Sequence, residues 1–520
     1  MAVIFTVLIL CSLSSRSEQQ YTSDWTSLDA RPLPKWYDES KIGIFIHWGL
    51  YSVPAISSEW MWWNWKGDNP SQVVVDYMKA NYPPDWTYAN FGPEFRADLY
   101  DPNEWADLFA ASGAKYIVFT SKHHEGYTMW PSTFSFNWNS MHVGPKRDLL
   151  GYTADLMLSL TSFSLFSGDL ASAIRNRTNL VFGLYYSLFE WFNPLYLRDK
   201  STNFTSQDYA KTKTMPELKE IVETYKPEIV WSDGEWEPLD TYWSATQFLA
   251  WLYNDSPVKD TVVTNDRWGS GTLCKHGGFY TCLDRYNPGH LVEHKWENCF
   301  TIDKRSWAYR PIANIDDYMT IEEVLREIVI TISTGGNALV NVGPNRHGKI
   351  PPIFQERLQQ MGSWLKVNGE GIYASVPWKY QNDTINSDVW YTSSKDGRYV
   401  YAFLLMWPKN ITEITLGAPL PSANTVVTML GSNGHSIPWK VGSDNRGMMI
   451  DTSNVKLHLL ESQWVWVFRL ADLSIDNTTM TTIQRTTSTA RITSRSNANL
   501  SFSSSLSLFM LLGVLLYVTM

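Results

Sequence analysis

Cysteine is scarce in this chain of 520 residues. It has four cysteines; Cys11 lies in an apolar leader, which leaves Cys274, Cys282 and Cys299. This number excludes a disulfide-dense scaffold of the kind that stabilises small secreted domains. It allows one local disulfide and one free thiol, and the pair Cys274 and Cys282 would close the shortest loop. No pair of these cysteines has the spacing of a zinc finger.

Concentrated positive charge is lacking as well. The formal net charge is −9 and the basic residues are scattered, which argues against nucleic acid as a partner. No HExxH motif or equivalent histidine spacing is present, so we predict no metal centre. The adjacent His123 and His124 would point to opposite faces of a regular strand, which also argues against a shared metal.

Charged residues are missing from the first ten positions after the initiator. The uncharged, mostly apolar run 2–11 is followed by small serines, and this layout predicts a signal peptide over residues 1–17, although the usual basic residues before the run are absent. The alternative is a buried N-terminal helix. Arg16 and the polar stretch SEQQYTSD argue against that alternative.

Charge is also absent after Arg495, and residues 506–520 are apolar to the end. A spanning helix needs about 20 apolar residues, so this tail is short, and no basic flank follows it. Small residues at 496–498 and the apolar tail fit a GPI-attachment signal, and a short tail anchor is the alternative. We therefore expect residues 498–520 to tether the protein to a membrane.

Six N-x-S/T triplets and a Ser/Thr-rich stretch support entry into the secretory pathway. The stretch at 473–497 has the composition of a disordered stalk. We expect the cell surface as the location, with the lysosome or secretion as alternatives. The triplets begin at Asn176, Asn203, Asn382, Asn410, Asn477 and Asn499.

Short apolar runs that end in polar residues recur between about residues 36 and 373. The runs are IGIFIHWG, YIVFTSKHHEG, LVFGLYYS, EIVWSDGEW, TVVTNDRWG and ALVNVGP. Helical patterns alternate with them, in DPNEWADLFAASG, MPELKEIVETY and IEEVLREIVITIS. This alternation predicts a parallel sheet, and reactive residues at strand ends favour a (β/α)8-like barrel over residues 18–372. A doubly wound sheet is the rival, but no Gly-rich phosphate loop follows the first run.

The pattern of apolar and turn-forming residues changes after about residue 372. Short strand-like segments such as VWYTSS, RYVYAFLLMW and WVWVFRL are separated by Gly, Pro, Asn and Asp. This pattern predicts an antiparallel β-sandwich over residues 373–472.

Several polar residues at predicted strand ends could carry chemistry. Asp233 ends a buried run and precedes a glycine, which holds a carboxylate rigid while a substrate approaches. A helix N-cap is the structural alternative for an isolated Asp. Glu59 and Glu235 are further carboxylates, and SEWMWWNW (58–65) places four tryptophans beside Glu59. Because indole rings offer flat apolar faces to sugars, we interpret this run as lining a sugar site.

The chain resembles the α-L-fucosidase family of retaining glycoside hydrolases, in the form found in animal tissues. Matching stretches include KIGIFIHWGLYSVP, EWMWW, GLYYSLFEWFNPLYL, WSDGEW, TNDRWG and GGNALVNVGP. PGHLVEHKWENC, residues 288–299, fits the family's P-x-x-L-x-x-x-K-W-E-x-C signature. The similarity runs from about residue 36 to residue 470.

The resemblance implies roles for individual residues. Asp233 falls on the nucleophile, and two candidates remain open for the acid/base: Asp284, which is preferred, and Glu297 inside the signature. The residues on positions that surround the fucose are His47, Glu59, Trp60, His123, His124, Tyr185 and Arg267.

The implied activity is removal of terminal α-L-fucose from glycans through a covalent intermediate, with no cofactor. In such a mechanism the two carboxyl groups lie ~5–5.5 Å apart. Two alternatives remain: a catalytically inactive fucose-binding surface protein, and a hydrolase of another pyranoside. The sequence fixes neither the linkage preference nor the oligomeric state, and a homo-oligomer stays open.

An extra stretch at about 155–167 interrupts what should be a barrel helix. It contains LMLSLTSFSLFSG, where members of the family are shorter. We interpret it as a surface insertion or a translated intron.

Overall fold

The computed structural model describes residues 20–151, 170–409, 411–443 and 447–474. The predicted signal peptide, the stretch at 155–167 and the apolar tail lie outside the described residues, as does nearly all of the predicted stalk. These four assignments stay predictions.

A curled parallel sheet of seven strands forms the centre of the first part of the molecule. Its strands are β1 Ile42–Ile46, β2 Tyr116–Lys122, β3 Val181–Ser187, β4 Ile229–Asp233, β5 Val263–Thr264, β6 Trp296–Thr301 and β7 Gly336–Val342. Their order is β5-β4-β3-β2-β1-β7-β6. Every residue of β1, β2, β4 and β7 is buried, as expected of parallel strands covered on both faces.

Six of the seven strands correspond to the six predicted runs, and β6 was missed as a strand. Its sequence WENCFT carries polar residues on both faces, because Glu297 faces the barrel interior whereas Asn298 bonds to Thr331 on the outer helix. A polar residue that points into a barrel hides the apolar pattern by which a buried strand is recognised.

A short segment lies between the two end strands of the sheet. The Phe279 N–H donates to Thr264 O of β5 at 3.1 Å, and the Glu297 N–H of β6 donates to Tyr280 O at 2.8 Å. Residues 279–280 therefore take the place of an eighth strand. The predicted barrel-like α/β fold is confirmed, with seven strands and this segment in place of eight full strands.

Twelve α-helices are described, and the three predicted ones are among them. Asp101 caps α5 by accepting the N–H groups of Asn103 and Glu104, and Thr320 forms a capping box with Glu323 at the start of α11. The helices are α1 Trp25–Asp29, α2 Lys35–Ser40, α3 Met61–Lys66, α4 Gln72–Asn81, α5 Pro102–Ala111, α6 Leu170–Arg177, α7 Pro194–Ser201, α8 Met215–Tyr225, α9 Asp240–Trp243, α10 Ala245–Asn254, α11 Ile321–Ser333 and α12 Pro352–Asn368.

Two antiparallel sheets follow the barrel, which confirms the predicted sandwich. The strands are β8 Val376–Asn382, β9 Val389–Ser393, β10 Tyr399–Leu404, β11 Glu413–Leu416, β12 Pro421–Met429, β13 Trp439–Val441, β14 Met448–Asp451 and β15 Trp466–Leu473. One sheet has the order β12-β15-β10-β9-β8 and the other β11-β14-β13. Their inner faces share one apolar core, to which Tyr391 and Phe468 contribute from the first sheet and Leu416 and Ile450 from the second.

The last barrel helix joins the two parts. The Trp364 indole N–H on α12 donates to Val465 O at 2.8 Å, and Asn368 Nδ2 donates to Ser462 Oγ at 2.8 Å. The predicted boundary at 372–373 falls between α12 and β8, and the division into separate domains stays a prediction. No helix in the described ranges combines the length and apolarity that crossing a membrane requires.

Candidate active site

A pocket opens at the carboxyl ends of the barrel strands. Its empty volume is about 410 Å³ with its open mouth included. The parallel strands explain the clustering, because their carboxyl ends all open on one rim. Nine of the ten predicted site residues line the pocket: His47, Glu59, Trp60, His123, His124, Tyr185, Asp233, Arg267 and Asp284.

Asp233 is the last residue of β4 and is held by two donors. The Tyr185 hydroxyl donates to Oδ2 at 2.6 Å, and Arg267 Nη1 donates to Oδ1 at 2.9 Å. Burial and the nearby carboxylate raise the pKa of Tyr185 well above its ordinary value, so the phenol stays a donor. At Gly234 φ is +81°, and an added Cβ would lie 2.4 Å from the Phe189 ring. The turn that presents Asp233 therefore requires glycine.

Arg267 links Asp233 to Asp284. Its Nη2 donates to Asp284 Oδ1 at 2.6 Å, and its guanidinium lies 4.7 Å from the centroid of the Trp231 ring. Burial opposes the charge of Arg267, but Asp284 and Asp233 raise its pKa well above the ordinary value. The Asp284 side chain is 53% exposed, so it stands at the pocket mouth while Asp233 lies inside.

The hydrogen bonds of His47 fix its tautomer. Asn341 Nδ2 donates to Thr301 Oγ1 and Trp307 O, so Asn341 Oδ1 is the acceptor for His47 Nδ1–H at 2.7 Å. Burial lowers the pKa of His47 to about 3. The ring is neutral, and its Nε2 is an acceptor.

His124 has the same arrangement with different partners. The Ser187 hydroxyl donates to Phe189 O and therefore accepts from His124 Nδ1–H at 2.7 Å. Burial lowers the pKa of His124 well below the ordinary value. Its Nε2 lies 3.6 Å from Asp233 Oδ2, so it is an acceptor beside that carboxylate.

His123 and His124 both line the pocket, which the alternation of side chains along a strand did not predict. Strand β2 ends at Lys122, and its pairing with β3 is irregular between Thr120 and Lys122. Both histidines follow the strand end, so the two-residue alternation no longer applies to them. Their ring centroids lie 4.0 Å apart.

Glu59 and Trp60 form another wall of the pocket. Glu59 Oε2 accepts the Trp307 N–H at 3.1 Å, and burial raises the pKa of Glu59. Trp60 stacks on Trp236 with centroids 5.8 Å apart.

The interpretation of all four tryptophans in 58–65 as pocket residues was wrong. Only Trp60 among them lines the pocket. Trp62 stacks on Trp191 with centroids 5.6 Å apart, and Trp65 is buried. Residues 61–66 form the short helix α3, which carries the later tryptophans away from the rim.

Glu297, the competing acid/base candidate, lies in the barrel interior and does not line the pocket. It is fully buried. Its Oε2 accepts from the hydroxyls of Tyr37 at 2.8 Å and Tyr116 at 2.6 Å, and its Oε1 accepts from Trp231 Nε1 at 3.0 Å. Burial raises its pKa, which these hydrogen bonds oppose.

Glu235, which the sequence also singled out, is buried and does not line the pocket. Burial raises its pKa to about 7.

Five pocket residues were missed. Trp231 and Trp236 flank Asp233 closely in sequence, so their proximity was a usable signal. Strand alternation could have found Phe45, two residues before His47. Cys299 and Trp307 reach the pocket only because β6 and the loop after it return to the rim. The five are Phe45, Trp231, Trp236, Cys299 and Trp307.

One cluster in the described part of the chain has metal-ligand residue types. The ligand atoms of Asp266, Cys274 and Cys282 lie within 4.8 Å of one another, but the two sulfurs form a disulfide. A disulfide sulfur is not a thiolate ligand. Cys299 is a free, buried thiol.

The barrel and the carboxylate-lined pocket are typical of glycoside hydrolases. Residues 8–370 match the family profile Alpha-L-fucosidase, and residues 381–471 match Alpha-L-fucosidase C-terminal domain. The chain belongs to the α-L-fucosidase family of retaining glycoside hydrolases, as its sequence predicted.

Relatives match both parts of the chain. An alpha-L-fucosidase from Branchiostoma floridae is 54% identical over 464 residues, which cover 89% of this chain and 98% of that protein. The plasma alpha-L-fucosidase of Homo sapiens is 51% identical, covering 88% and 94%. The crystal structure of Thermotoga maritima alpha-fucosidase in complex with fucose aligns with TM-score 0.70 and 29% identity, over 87% of this chain and 100% of that one.

Proposed function

We propose that this protein is a retaining exo-α-L-fucosidase that removes terminal fucose from glycans, with Asp233 as nucleophile and Asp284 as acid/base. One observation carries the assignment of roles. A single guanidinium, that of Arg267, binds both carboxylates, one inside the pocket and one at its mouth. A nucleophile and an acid/base on either side of one glycosidic bond require such a pair.

The proposed reaction has two displacements. Asp233 attacks the anomeric carbon while Asp284 protonates the departing oxygen, and the glycosyl–oxygen bond breaks. Water, deprotonated by Asp284, then attacks the glycosyl-enzyme and releases fucose with its configuration retained. The exposed position of Asp284 suits this role, because the leaving glycan and the incoming water both enter through the mouth.

The neutral histidines suit the binding of sugar hydroxyls. His47 and His124 each offer an unprotonated Nε2 as an acceptor for a ring O–H. Phe45, Trp231 and Trp307 form an apolar surface in the same pocket, which matches the 6-methyl group of fucose. A sugar with a hydroxyl at this carbon would bury an unpaired polar group, which costs about 1–3 kcal/mol.

Asp284 and Glu297 are the two candidates for the acid/base role, Glu59 is a further carboxylate at the pocket, and the surroundings of the three favour Asp284. Glu297 has three donors and lies outside the pocket, and Glu59 is buried against the Trp307 backbone. A general acid must come within hydrogen-bond reach of the leaving oxygen, and Asp284 stands at the mouth through which the leaving glycan departs.

The defining experiment measures hydrolysis of 4-nitrophenyl α-L-fucoside by the full chain and by Asp233→Ala, with and without azide. We expect wild-type turnover with α-fucose as the first-formed anomer by NMR. We expect near-complete loss in the variant, and azide should restore turnover by forming a fucosyl azide. An inert wild type that still binds fucose would support the alternative of an inactive fucose-binding protein.

The location of the protein is part of the proposal. The Cys274–Cys282 disulfide is typical of an oxidising compartment, and Asn176 and Asn203 in the glycosylation triplets are exposed. These features support a secretory-pathway enzyme. Attachment to the cell surface through residues 498–520 is the finer proposal, and release of activity from intact cells by a phosphatidylinositol-specific phospholipase tests it.

A further inference from the structure

We propose that Asp266, together with the Cys274–Cys282 disulfide, positions the acid/base Asp284 through Thr281 and Arg267. This inference rests on the proposed function and adds positioning residues to it. Of these residues Arg267 lines the pocket, whereas Asp266, Thr281, Cys274 and Cys282 do not.

Asp266 is a fully buried carboxylate that binds the loop carrying Asp284. Its Oδ1 accepts the N–H of Thr281 at 2.9 Å and the hydroxyl of Thr281 at 2.6 Å. Its Oδ2 accepts the N–H groups of Cys274 at 2.8 Å and Cys282 at 3.1 Å. A buried carboxylate is costly unless hydrogen-bonded, and here all four donors come from one loop. The bonds fix both ends of the segment that the disulfide closes.

The backbone of this segment needs such support. Cys274, Cys282 and Arg285 have φ values of 55°, 53° and 57°, in the left-handed region that non-glycine residues rarely adopt. No helix or strand is assigned between β5 and β6 in this described part of the chain. Residues in this region are strained, so the surrounding contacts must hold the conformation. Asp284 lies between Cys282 and Arg285.

A hydrogen-bonded chain leads from Asp266 to the catalytic pair. The Thr281 hydroxyl donates to Asp266 and accepts from Arg267 Nε at 3.0 Å. Arg267 then donates to Asp284 and Asp233. On the far side of Asp284, the Arg285 N–H donates to Cys299 O of β6 at 3.0 Å. The acid/base is thus fixed from both sides.

Leaving-group dependence distinguishes positioning from a general structural defect. A good leaving group such as 4-nitrophenolate departs with little protonation, whereas methanol requires the acid. A misplaced Asp284 should therefore slow methyl α-L-fucoside far more than 4-nitrophenyl α-L-fucoside. Unfolding of part of the protein would slow both in equal proportion.

Two variant pairs test the proposal in the full chain. In Asp266→Asn we expect kcat/KM for the methyl fucoside to fall on the order of 100-fold, and a drop for the nitrophenyl fucoside about ten times smaller. The matched control is Asp383→Asn, because Asp383 also folds a loop, accepting N–H groups of Ile385, Gly417 and Ala418 in the sandwich. This control variant should leave the ratio of the kcat/KM values for the two fucosides unchanged.

Thr281→Val should shift the ratio in the same direction, and Thr281→Ser, which keeps the hydroxyl, should restore it. This pair keeps the test open if Asp266→Asn does not fold. Reduction of the disulfide, reached through exposed Cys274, should also slow the methyl fucoside selectively.

The outcomes separate this inference from the proposed function. A wild type that cleaves neither fucoside overturns the function itself. The loss of kcat/KM in Asp284→Ala could depend on the leaving group while the losses in Asp266→Asn and Thr281→Val do not. That result overturns the positioning proposal alone. If Asp284→Ala shows no such dependence, Asp284 is not the acid and the proposal is overturned with that role.

Discussion

The pocket and the barrel interior beneath it each contain a buried carboxylate, and their partners differ. In the pocket, Asp233 accepts from Tyr185 and Arg267, and the cavity lies open beside it. In the interior, Glu297 accepts from Tyr37, Tyr116 and Trp231 and faces no cavity. Both residues are carboxylates inside the family's motifs, WSDGEW and PGHLVEHKWENC, so residue type does not separate them.

The difference shows what makes a buried carboxylate reactive. A carboxylate that is enclosed by its donors and faces no cavity stabilises the fold but has no free path to a substrate. A carboxylate with fewer donors and an open side can meet a reacting atom. The region beneath the pocket therefore supports Trp231, whose ring lies against Arg267, while the pocket above it holds the residues to which we assign the chemistry.

The largest expected effect comes from a substitution at the pocket. Asp284→Ala should lower kcat/KM for methyl α-L-fucoside by about 10²–10⁴-fold, because general acid assistance is lost. The nitrophenyl fucoside should lose much less, and Asp284→Asn should behave in the same way. Steady-state kinetics on the two substrates measure this. Equal losses on both would contradict the acid role.

The second effect concerns the interior carboxylate. Glu297→Gln should lower the free energy of unfolding by about 1–3 kcal/mol. In the wild type the tyrosine hydroxyls donate to a carboxylate, whereas in the variant they would meet an amide N–H, which is itself a donor. Urea unfolding measures the change. The folded variant should keep its leaving-group profile. A variant with wild-type stability and a large selective loss on the methyl fucoside would instead place Glu297 in the chemistry.

The third effect concerns pH. His47 has a pKa of about 3 in the folded protein, below its ordinary 6.5, so the unfolded chain binds the extra proton between these values. This contribution to stability is complete above about pH 6.5 and declines as the pH falls towards 3. At pH 5 the loss is on the order of 2 kcal/mol.

In His47→Gln the free energy of unfolding, measured with urea, should therefore fall less between pH 7 and pH 5 than it does in the wild type. An unchanged slope in His47→Gln would show that another group dominates the acid loss.

Much of the site could be predicted from the sequence, because the patterns that mark its residues lie within short stretches of the chain. Asp233, His47 and Tyr185 lie at or just beyond the ends of apolar runs, and parallel strands bring such ends to one rim. The errors arose where local rules stop. Strand alternation does not extend past Lys122 to His123, and a short helix turns Trp62 away from the pocket.

By itself, the sequence determined the family, the alternation of strands and helices, the sandwich that follows, and nine of the pocket's residues. These depend on hydrophobic period, turn chemistry and motif, which are read along the chain. Only the tertiary structure decided that Glu297 lies beneath the pocket, that β6 and residues 279–280 complete the barrel, and that Asp266 holds the Asp284 loop. Each of these depends on contacts between distant segments, whose partners no local pattern specifies.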